Sequence, residues 1–239
     1  MGNPRATLWL CAYNGVGEET HLSIIGEMGL WPSLVHRVKK GDANIDRARS
    51  KVSSWFLQES SETAGDVLLM VDADNSWMQG DLGLIARRAL EHNAVVGGIY
   101  PKRAFNQGPA LRLAPEAKGQ GKVQIGDDTL IPAEFVGTGF IAIPRKILEH
   151  LGKELVHCVG ADTDPYPTYQ PFFMPYVIKT VMGLEYPTDD QAFCHKVKQA
   201  GFPVYASTYP RLHHDGSYRY RLVDGDVSPP PDQDVIIEL

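Results

Sequence analysis

Cysteine is scarce in this chain: Cys11, Cys158 and Cys194 are the only three in 239 residues. They are far apart and form no CxxC pair, which excludes a zinc ribbon and a dithiol redox motif. Their odd count and sparse use fit a reducing, cytoplasmic compartment. No apolar run approaches the length of a bilayer crossing, so no membrane span is expected. Met1 to Thr7 lack a basic stretch followed by a long apolar core, so no secretory leader is expected either. Positive charge is not in excess. The formal net charge is −6, which argues against non-specific DNA binding but leaves room for a local basic groove. What is present is ordinary for a globular protein. With 43% hydrophobic and 22% charged residues, a chain of this length buries a sizeable core without disulfides or a structural metal.

The most informative stretch runs Asp66-Val67-Leu68-Leu69-Met70-Val71-Asp72-Ala73-Asp74-Asn75. Five apolar residues read as a buried strand that ends abruptly in two carboxylates one residue apart. Carboxylates at the carboxyl end of a strand in an open α/β sheet sit where such sheets bind ligands. Two of them side by side suit a hard divalent cation that keeps its other positions for water and phosphate. An Asp-X-Asp triplet alone is weak, because Asp is common in turns; the apolar run before it gives it weight.

The pattern on either side is an alternation of strands and helices. Thr7 to Tyr13 reads as a strand, Glu18 to Met28 as a helix and Ser33 to Lys39 as a strand. Ile45 to Glu62 reads as a long helix capped by Asp46, with Ala48, Val52, Trp55 and Phe56 on its apolar face. After the strand ending at Asp72 come a helix over Asp81 to His92 and a short strand over Ala94 to Ile99. This alternation predicts a mostly parallel sheet with helices on both faces. Beyond Tyr100, Pro109 to Leu113, Lys122 to Ile125 and Leu130 to Val136 read as short strands of an antiparallel insertion. A strand over Phe140 to Ile143, a helix from Pro144 to Leu151, a helix over Asp189 to Ala200 and a strand over Val204 to Ser207 complete the pattern. Lys153 to Thr188 reads as an irregular loop, whose length suggests a lid or binding loop. One domain over residues 1–223 is expected, followed by a Pro-rich acidic tail over 224–239, extended or mobile.

Five segments, in this order, resemble the nucleotide-sugar-dependent glycosyltransferases of the GT-A fold, including small phage- and virus-encoded members. They are Tyr13-Asn14-Gly15; Asp46-Arg47-Ala48-Arg49; Asp72-Ala73-Asp74; Phe135-Val136-Gly137-Thr138-Gly139-Phe140 with Pro144-Arg145; and Thr188-Asp189-Asp190-Gln191 followed by His213-His214-Asp215-Gly216. The resemblance spans roughly residues 7 to 221. It implies an α/β, GT-A (Rossmann-like) fold and a metal-dependent transfer of sugar from a nucleoside-diphosphate sugar, UDP in the first instance, to a hydroxyl acceptor. If the chain is phage-encoded, its compartment is the host cytoplasm.

The resemblance also implies roles for individual residues. Asp74 is the direct metal ligand, and Asp72 reaches the ribose or a metal-bound water. His214, two residues before Gly216, is a further metal ligand or diphosphate contact, with His213 the alternative if the alignment slips by one. Manganese is expected ahead of magnesium, since imidazole favours it. Tyr13 and Asn14 border the nucleotide base. Of Arg47 and Arg49, which do not share a helix face, Arg49 is chosen to neutralise phosphate or to hold Asp72. Gly139, in Gly137-Thr138-Gly139, lets backbone approach the sugar pocket; a bulge in the sheet is the plainer reading. Lys102, at a second strand-end loop with Arg103, is placed on the donor, or in a plain turn. Asp190 is the general base of an inverting reaction, with Asp189 secondary; one of the two could simply cap the helix.

Two other enzyme classes are compatible with Asp and His clusters on such a fold. A sugar nucleotidyltransferase needs a Gly-rich basic loop after the first strand, whereas here Asn14-Gly15-Val16-Gly17-Glu18-Glu19 is acidic. A metal-dependent hydrolase would bind donor without metal-stimulated transfer. The acceptor is left open between a glycan and a hydroxylated nucleobase in nucleic acid. Tyr166, Tyr169, Phe172, Phe173 and Tyr176 could line an acceptor groove and stack on sugars or bases. Lys102, Arg103, Arg112, Arg145, Lys146, Arg211, Arg219 and Arg221 could form a basic track, although scattered cations are more often solvated.

Overall fold

The structure is a computed structural model that describes residues 2–102, 108–119, 121–180, 183–215 and 236–238. Arg103, Gly216, Arg219, Arg221 and the tail over 224–235 lie outside the described residues. The chain opens β1 (Ala6–Ala12), α1 (Glu18–Leu30), β2 (Val35–Lys40), α2 (Ile45–Gln58), α3 (Ser61–Ala64), β3 (Val67–Asp72) and β4 (Asn75–Ser76). It continues α4 (Asp81–Glu91), β5 (Val95–Gly98), β6 (Leu111–Leu113), β7 (Lys122–Gln124), β8 (Leu130–Val136), β9 (Phe140–Pro144) and α5 (Arg145–Gly152). Two short hairpins follow, β10 (Cys158–Val159) with β11 (Thr168–Tyr169) and β12 (Ile178–Thr180) with β13 (Gly183–Glu185). The last elements are α6 (Asp189–Gln199), β14 (Val204–Ser207), β15 (His213–His214) and β16 (Ile236–Glu238).

An eight-stranded sheet in the order β2-β1-β3-β9-β5-β14-β8-β6 forms the centre. The expected α/β class is the one observed. Its interior strands are apolar on both faces, so alternate residues feed two cores. Leu68 and Met70 of β3 join Trp9, Trp55, Phe56, Ile141 and Phe193 on the side of α2, α5 and α6. Val67, Leu69 and Val71 join Leu8, Leu10, Leu82, Ile85 and Phe140 on the side of α1 and α4. β1 is parallel to β2 and β3, and β5 is parallel to β14. β9 enters antiparallel between β3 and β5, and β8 and β6 extend the sheet antiparallel beyond β14. The sheet is therefore mixed, with its parallel pairs concentrated at the amino-terminal end.

Connections from β1 leave to β2 on one side and, through α2, return to β3 on the other. The crevice beyond the carboxyl end of β1 is thus a strand-order switch point, where open α/β sheets hold their ligands.

Local departures from expectation have physical causes. The long helix expected over Ile45 to Glu62 breaks at Glu59, whose carboxylate is drawn into a bidentate pair with Arg37 of β2. Its amino-terminal cap position is Asn44 and not Asp46, which sits inside the first turn and accepts from the Arg47 N–H at 2.7 Å. Pro144 ends β9 and occupies the cap position of α5 instead of its first turn. The Lys153 to Thr188 segment carries two hairpins, and its aromatics pack inward. Phe172 and Phe173 are fully buried, and Phe173 stacks on Phe193 at 4.2 Å. Tyr169 lies under the Lys51 ammonium, and Tyr166 packs against the core. Tyr176 is bonded to His195 at 2.6 Å. The expected aromatic acceptor wall is therefore largely core. In the tail, Ile236–Glu238 pair antiparallel with β7.

Candidate active site

Asp72 closes β3 opposite Cys11 of β1, at the switch point. Its backbone N–H donates to the Gly139 carbonyl at 3.0 Å, fixing the strand end. Its Oδ1 accepts from Arg49 Nη2 at 2.7 Å. Arg49, in the second turn of α2, is buried, and its Nη1 pairs with Asp189 Oδ2 at the start of α6. Burial works against the guanidinium charge, but the two carboxylates more than offset it and hold the group protonated. One planar fork serves two anions on different elements, a task suited to Arg and not to Lys.

The turn after Asp72 is pinned from the other side. The Ala73 carbonyl accepts from the Gly17 N–H at 2.7 Å and from Thr20 Oγ1 at 3.1 Å. A Cβ on Gly17 would stand 3.2 Å from that carbonyl, so glycine permits the close approach. Asn75 is fully buried and donates to the Gly139 carbonyl at 2.8 Å. β4 then pairs with β15, setting His214 opposite Asn75. This two-residue pairing carries His214 to Asp74, with Nε2 3.6 Å from Asp74 Oδ1. His214 Nδ1 lies 3.0 Å from the Pro101 carbonyl, which can only accept, so Nδ1 carries a proton and Nε2 is the ring nitrogen turned toward Asp74. The Asp74 carbonyl accepts from the Asp215 N–H at 2.6 Å, and Ser76 Oγ donates to Asp215 Oδ2 at 2.7 Å.

At α6 the cap residue is Thr188, so neither aspartate serves as the cap. The Thr188 N–H donates to Gln191 Oε1 at 3.0 Å. Asp190 Oδ1 accepts from the Gln191 N–H at 2.8 Å and from Thr188 Oγ1. Burial pushes the Asp190 carboxyl above the ordinary carboxylate range; the Thr188 hydroxyl opposes this and the Asp189 charge adds to it.

These groups converge on one cavity of about 1180 Å³. It is lined by Tyr13, Asn14, Arg49, Asp72, Asp74, Lys102, Asp190 and His214, all singled out in the sequence. Tyr13 is 62% exposed, so it is not packed on the core and its ring is available to a ligand. Five of the highlighted positions lie off the wall. Gly139 is behind it: a Cβ there would meet Asn75 Nδ2 at 2.5 Å and Tyr100 Oη at 2.8 Å, so its smallness serves packing. Asp189 is turned to Arg49. His213 is not on the wall, and His214 is. Arg47 is exposed and forks onto Asp42. Arg145, expected in a basic track, is buried and donates to the Gly65 and Phe56 carbonyls.

Asp42 and Lys39 also line the cavity and were not singled out; Glu18 and Glu19 of the acidic loop and Asp215 of the His213–Gly216 segment line it too. Asp42 stands two residues beyond the end of β2, whereas Asp72 is itself the last residue of β3.

Among the described residues no three His, Cys, Asp or Glu side chains enclose a metal. Asp74 Oδ1 and His214 Nε2, however, are 3.6 Å apart and close to the roughly 3 Å that separates adjacent ligands of an octahedral ion. The carbonyl behind His214 orients the ring as metal-bound imidazoles are usually oriented. Two protein ligands suit an open, partly hydrated ion that completes its shell with phosphate and water.

The fold is α/β, a mixed central sheet flanked by helices, and the cavity lies at the carboxyl-end rim of β1 and β3. No family model and no curated protein sequence matches the chain. Among solved structures it is similar to A197 from STIV, at 16% identity and a TM-score of 0.56, over 95% of this chain and 98% of that one. It also matches S. aureus TarS 1-349 in complex with UDP-GlcNAc, at 12% identity and a TM-score of 0.45, over 94% of this chain and 62% of that one. The likeness to A197 is one of fold.

Proposed function

We propose that the protein is a metal-dependent glycosyltransferase that moves a sugar from a nucleoside-diphosphate sugar, UDP-linked in the first instance, to a hydroxyl acceptor. One observation carries this reading. A single large cavity collects the strand-end carboxylates Asp72 and Asp74, the imidazole of His214 and the semi-buried carboxylate of Asp190. Its volume of about 1180 Å³ is somewhat larger than that of ordinary ligand pockets, roughly 300–1000 Å³. That is room for a nucleotide, a sugar and part of an acceptor.

Roles follow from position. Exposed Tyr13 and Asn14 border the base. Asp74 and His214 would hold manganese or magnesium, and Lys102 adds positive charge on the diphosphate. When bound, such an ion neutralises charge on the departing diphosphate. Asp72, fixed by Arg49 and Gly139, faces the donor. Asp190 takes the acceptor hydroxyl proton as the new bond to the anomeric carbon forms and the bond to the diphosphate oxygen breaks. A carboxyl raised by burial is the stronger base once ionised, as this task requires.

Two features weigh against the alternatives. Glu18 and Glu19 stand on the cavity wall, which disfavours the triphosphate of a nucleotidyltransferase. The inward packing of Phe172 and Phe173 removes a stacking platform for a flipped base, so a glycan hydroxyl is the favoured acceptor over a modified nucleobase.

A thermal-shift panel of nucleoside-diphosphate sugars, with and without manganese, tests the reading. A ligand at about 100 times its Kd stabilises the native state by about 2.7 kcal/mol. One donor should raise the melting temperature markedly, and more so with metal. Equal, small shifts for every donor, unaffected by metal, would reject it.

A further inference from the structure

We propose that Asp189 is a positioning residue, which ties the first turn of α6 to Arg49 and so holds Asp190 against the cavity. The inference rests on the glycosyl-transfer reading, with Asp190 as base. Asp189 lies next to Asp190 in sequence, yet only Asp190 lines the cavity. Asp189 Oδ2 is taken by Arg49 Nη1. The other arm of that guanidinium holds Asp72 at 2.7 Å, and the Asp72 N–H is itself fixed on the Gly139 carbonyl at 3.0 Å. An unbroken series of directional bonds therefore runs from the middle of the sheet, through Asp72 and Arg49, to the start of α6.

Consecutive helical residues are separated by about 100° around the axis. Clamping Asp189 toward Arg49 therefore sets the direction in which Asp190 leaves the helix. The rest of α6 is held by Ala192, Phe193, Cys194 and Val197 in the core, but those residues fix the body of the helix and not its fraying first turn. Thr188 Oγ1 and the Gln191 N–H then fix Asp190 Oδ1 locally. The same geometry commits both arms of Arg49 to carboxylates, which makes it the centre of this clamp and leaves the diphosphate to Lys102 and the metal.

The test is a double-mutant cycle of Asp189→Asn and Asp190→Asn, reading kcat for transfer and donor Kd separately, with circular dichroism to confirm folding. Asp189→Asn alone should lower kcat about 10- to 100-fold with donor Kd within about twofold, as expected for a misdirected base. Asp189→Glu, which keeps a carboxylate for Arg49, should regain most of that loss. In the Asp190→Asn background the same change should alter kcat less than about threefold, because there is no base left to aim. Arg49→Lys, a point charge without a fork, supplies the second route and should lower kcat at least as far as Asp189→Asn does, with a weaker donor Kd as well because it also releases Asp72.

Losses that multiply in the double variant would give Asp189 its own chemical role and overturn the proposal. A donor Kd that weakens as much as kcat falls, or an Asp189→Asn enzyme with normal kcat, would overturn it too. Normal turnover by Asp190→Asn is a different result: it would remove the base assignment itself, and the anchor with it.

Discussion

Replacing Arg49 by Met probes the centre of the site through stability alone. Met matches the length of the Arg stem and keeps a good helix former in α2. The change leaves Asp72 and Asp189 facing one another without a cation. Removing one partner of a fully buried ion pair costs about 3–5 kcal/mol. Here the Asp72 and Asp189 side chains are 26% and 15% exposed, so water relieves part of the penalty and about 2–3 kcal/mol is the better figure. For a domain of this size each kcal/mol moves the melting temperature by about 2–4 °C. Arg49→Met should therefore melt about 4–12 °C below wild type. The cause can be isolated by adding Asp189→Asn to Arg49→Met, which removes one of the two repelling charges and should recover part of the loss. Differential scanning fluorimetry at low and high salt reads both, and salt should shrink the deficit. A melting temperature within about 1 °C of wild type, or a double variant less stable than Arg49→Met, would refute the claim that charge at this triad organises the rim.

The remaining predictions concern single groups. Asp74→Ala should fold normally and lose the manganese-dependent part of the donor thermal shift; an intact metal effect would reject Asp74 as a ligand. Asp190→Asn should bind donor as wild type does and lose about 10²–10⁴ in kcat. Because burial raises the Asp190 carboxyl, the base form is lost as pH falls through that raised value. The acid limb of the kcat profile should therefore lie above the ordinary aspartate range. A limb at or below that range would contradict the assignment. Asp81 is buried, and burial pushes its carboxyl up to about 7 from 3.8, with the Met78 N–H opposing and the Glu27 charge adding to the rise. The folded state holds this proton to higher pH than the unfolded chain, so Asp81 makes stability fall as pH rises from about 4 to about 7. Asp81→Asn should flatten that slope and melt above wild type at pH 8; melts at pH 5 and pH 8 compare the two directly.

What the sequence disclosed and what it concealed follow from which forces are local. β3 was legible because a strand buried on both faces is apolar throughout and its polar end is abrupt. The direction of β9 was not legible: Phe140 to Ile143 would read the same parallel or antiparallel, and its partners β3 and β5 are distant in the chain. Arg49 was separable from Arg47 only by resemblance, since both are cations in one helical turn; burial distinguishes them once the fold is known. The aromatics of the Lys153 to Thr188 segment misled because a Phe in an irregular stretch gives no sign of which side faces inward. Asp42 was missed although it sits after a strand, because β2 is half-buried and lacks the long apolar run that marks β3.

The pairing of β15 with β4 has a consequence for the order in which the molecule comes alive. It is two residues long on each strand, too short to hold by itself, so it draws its persistence from the sheet beside it. A ribosome will have released both aspartates of the β3 rim long before it makes the imidazole that completes them. The nascent protein therefore carries Asp72 and Asp74 without His214 through most of its synthesis, and the proposed metal pair of Asp74 and His214 can form only once β15 has been made.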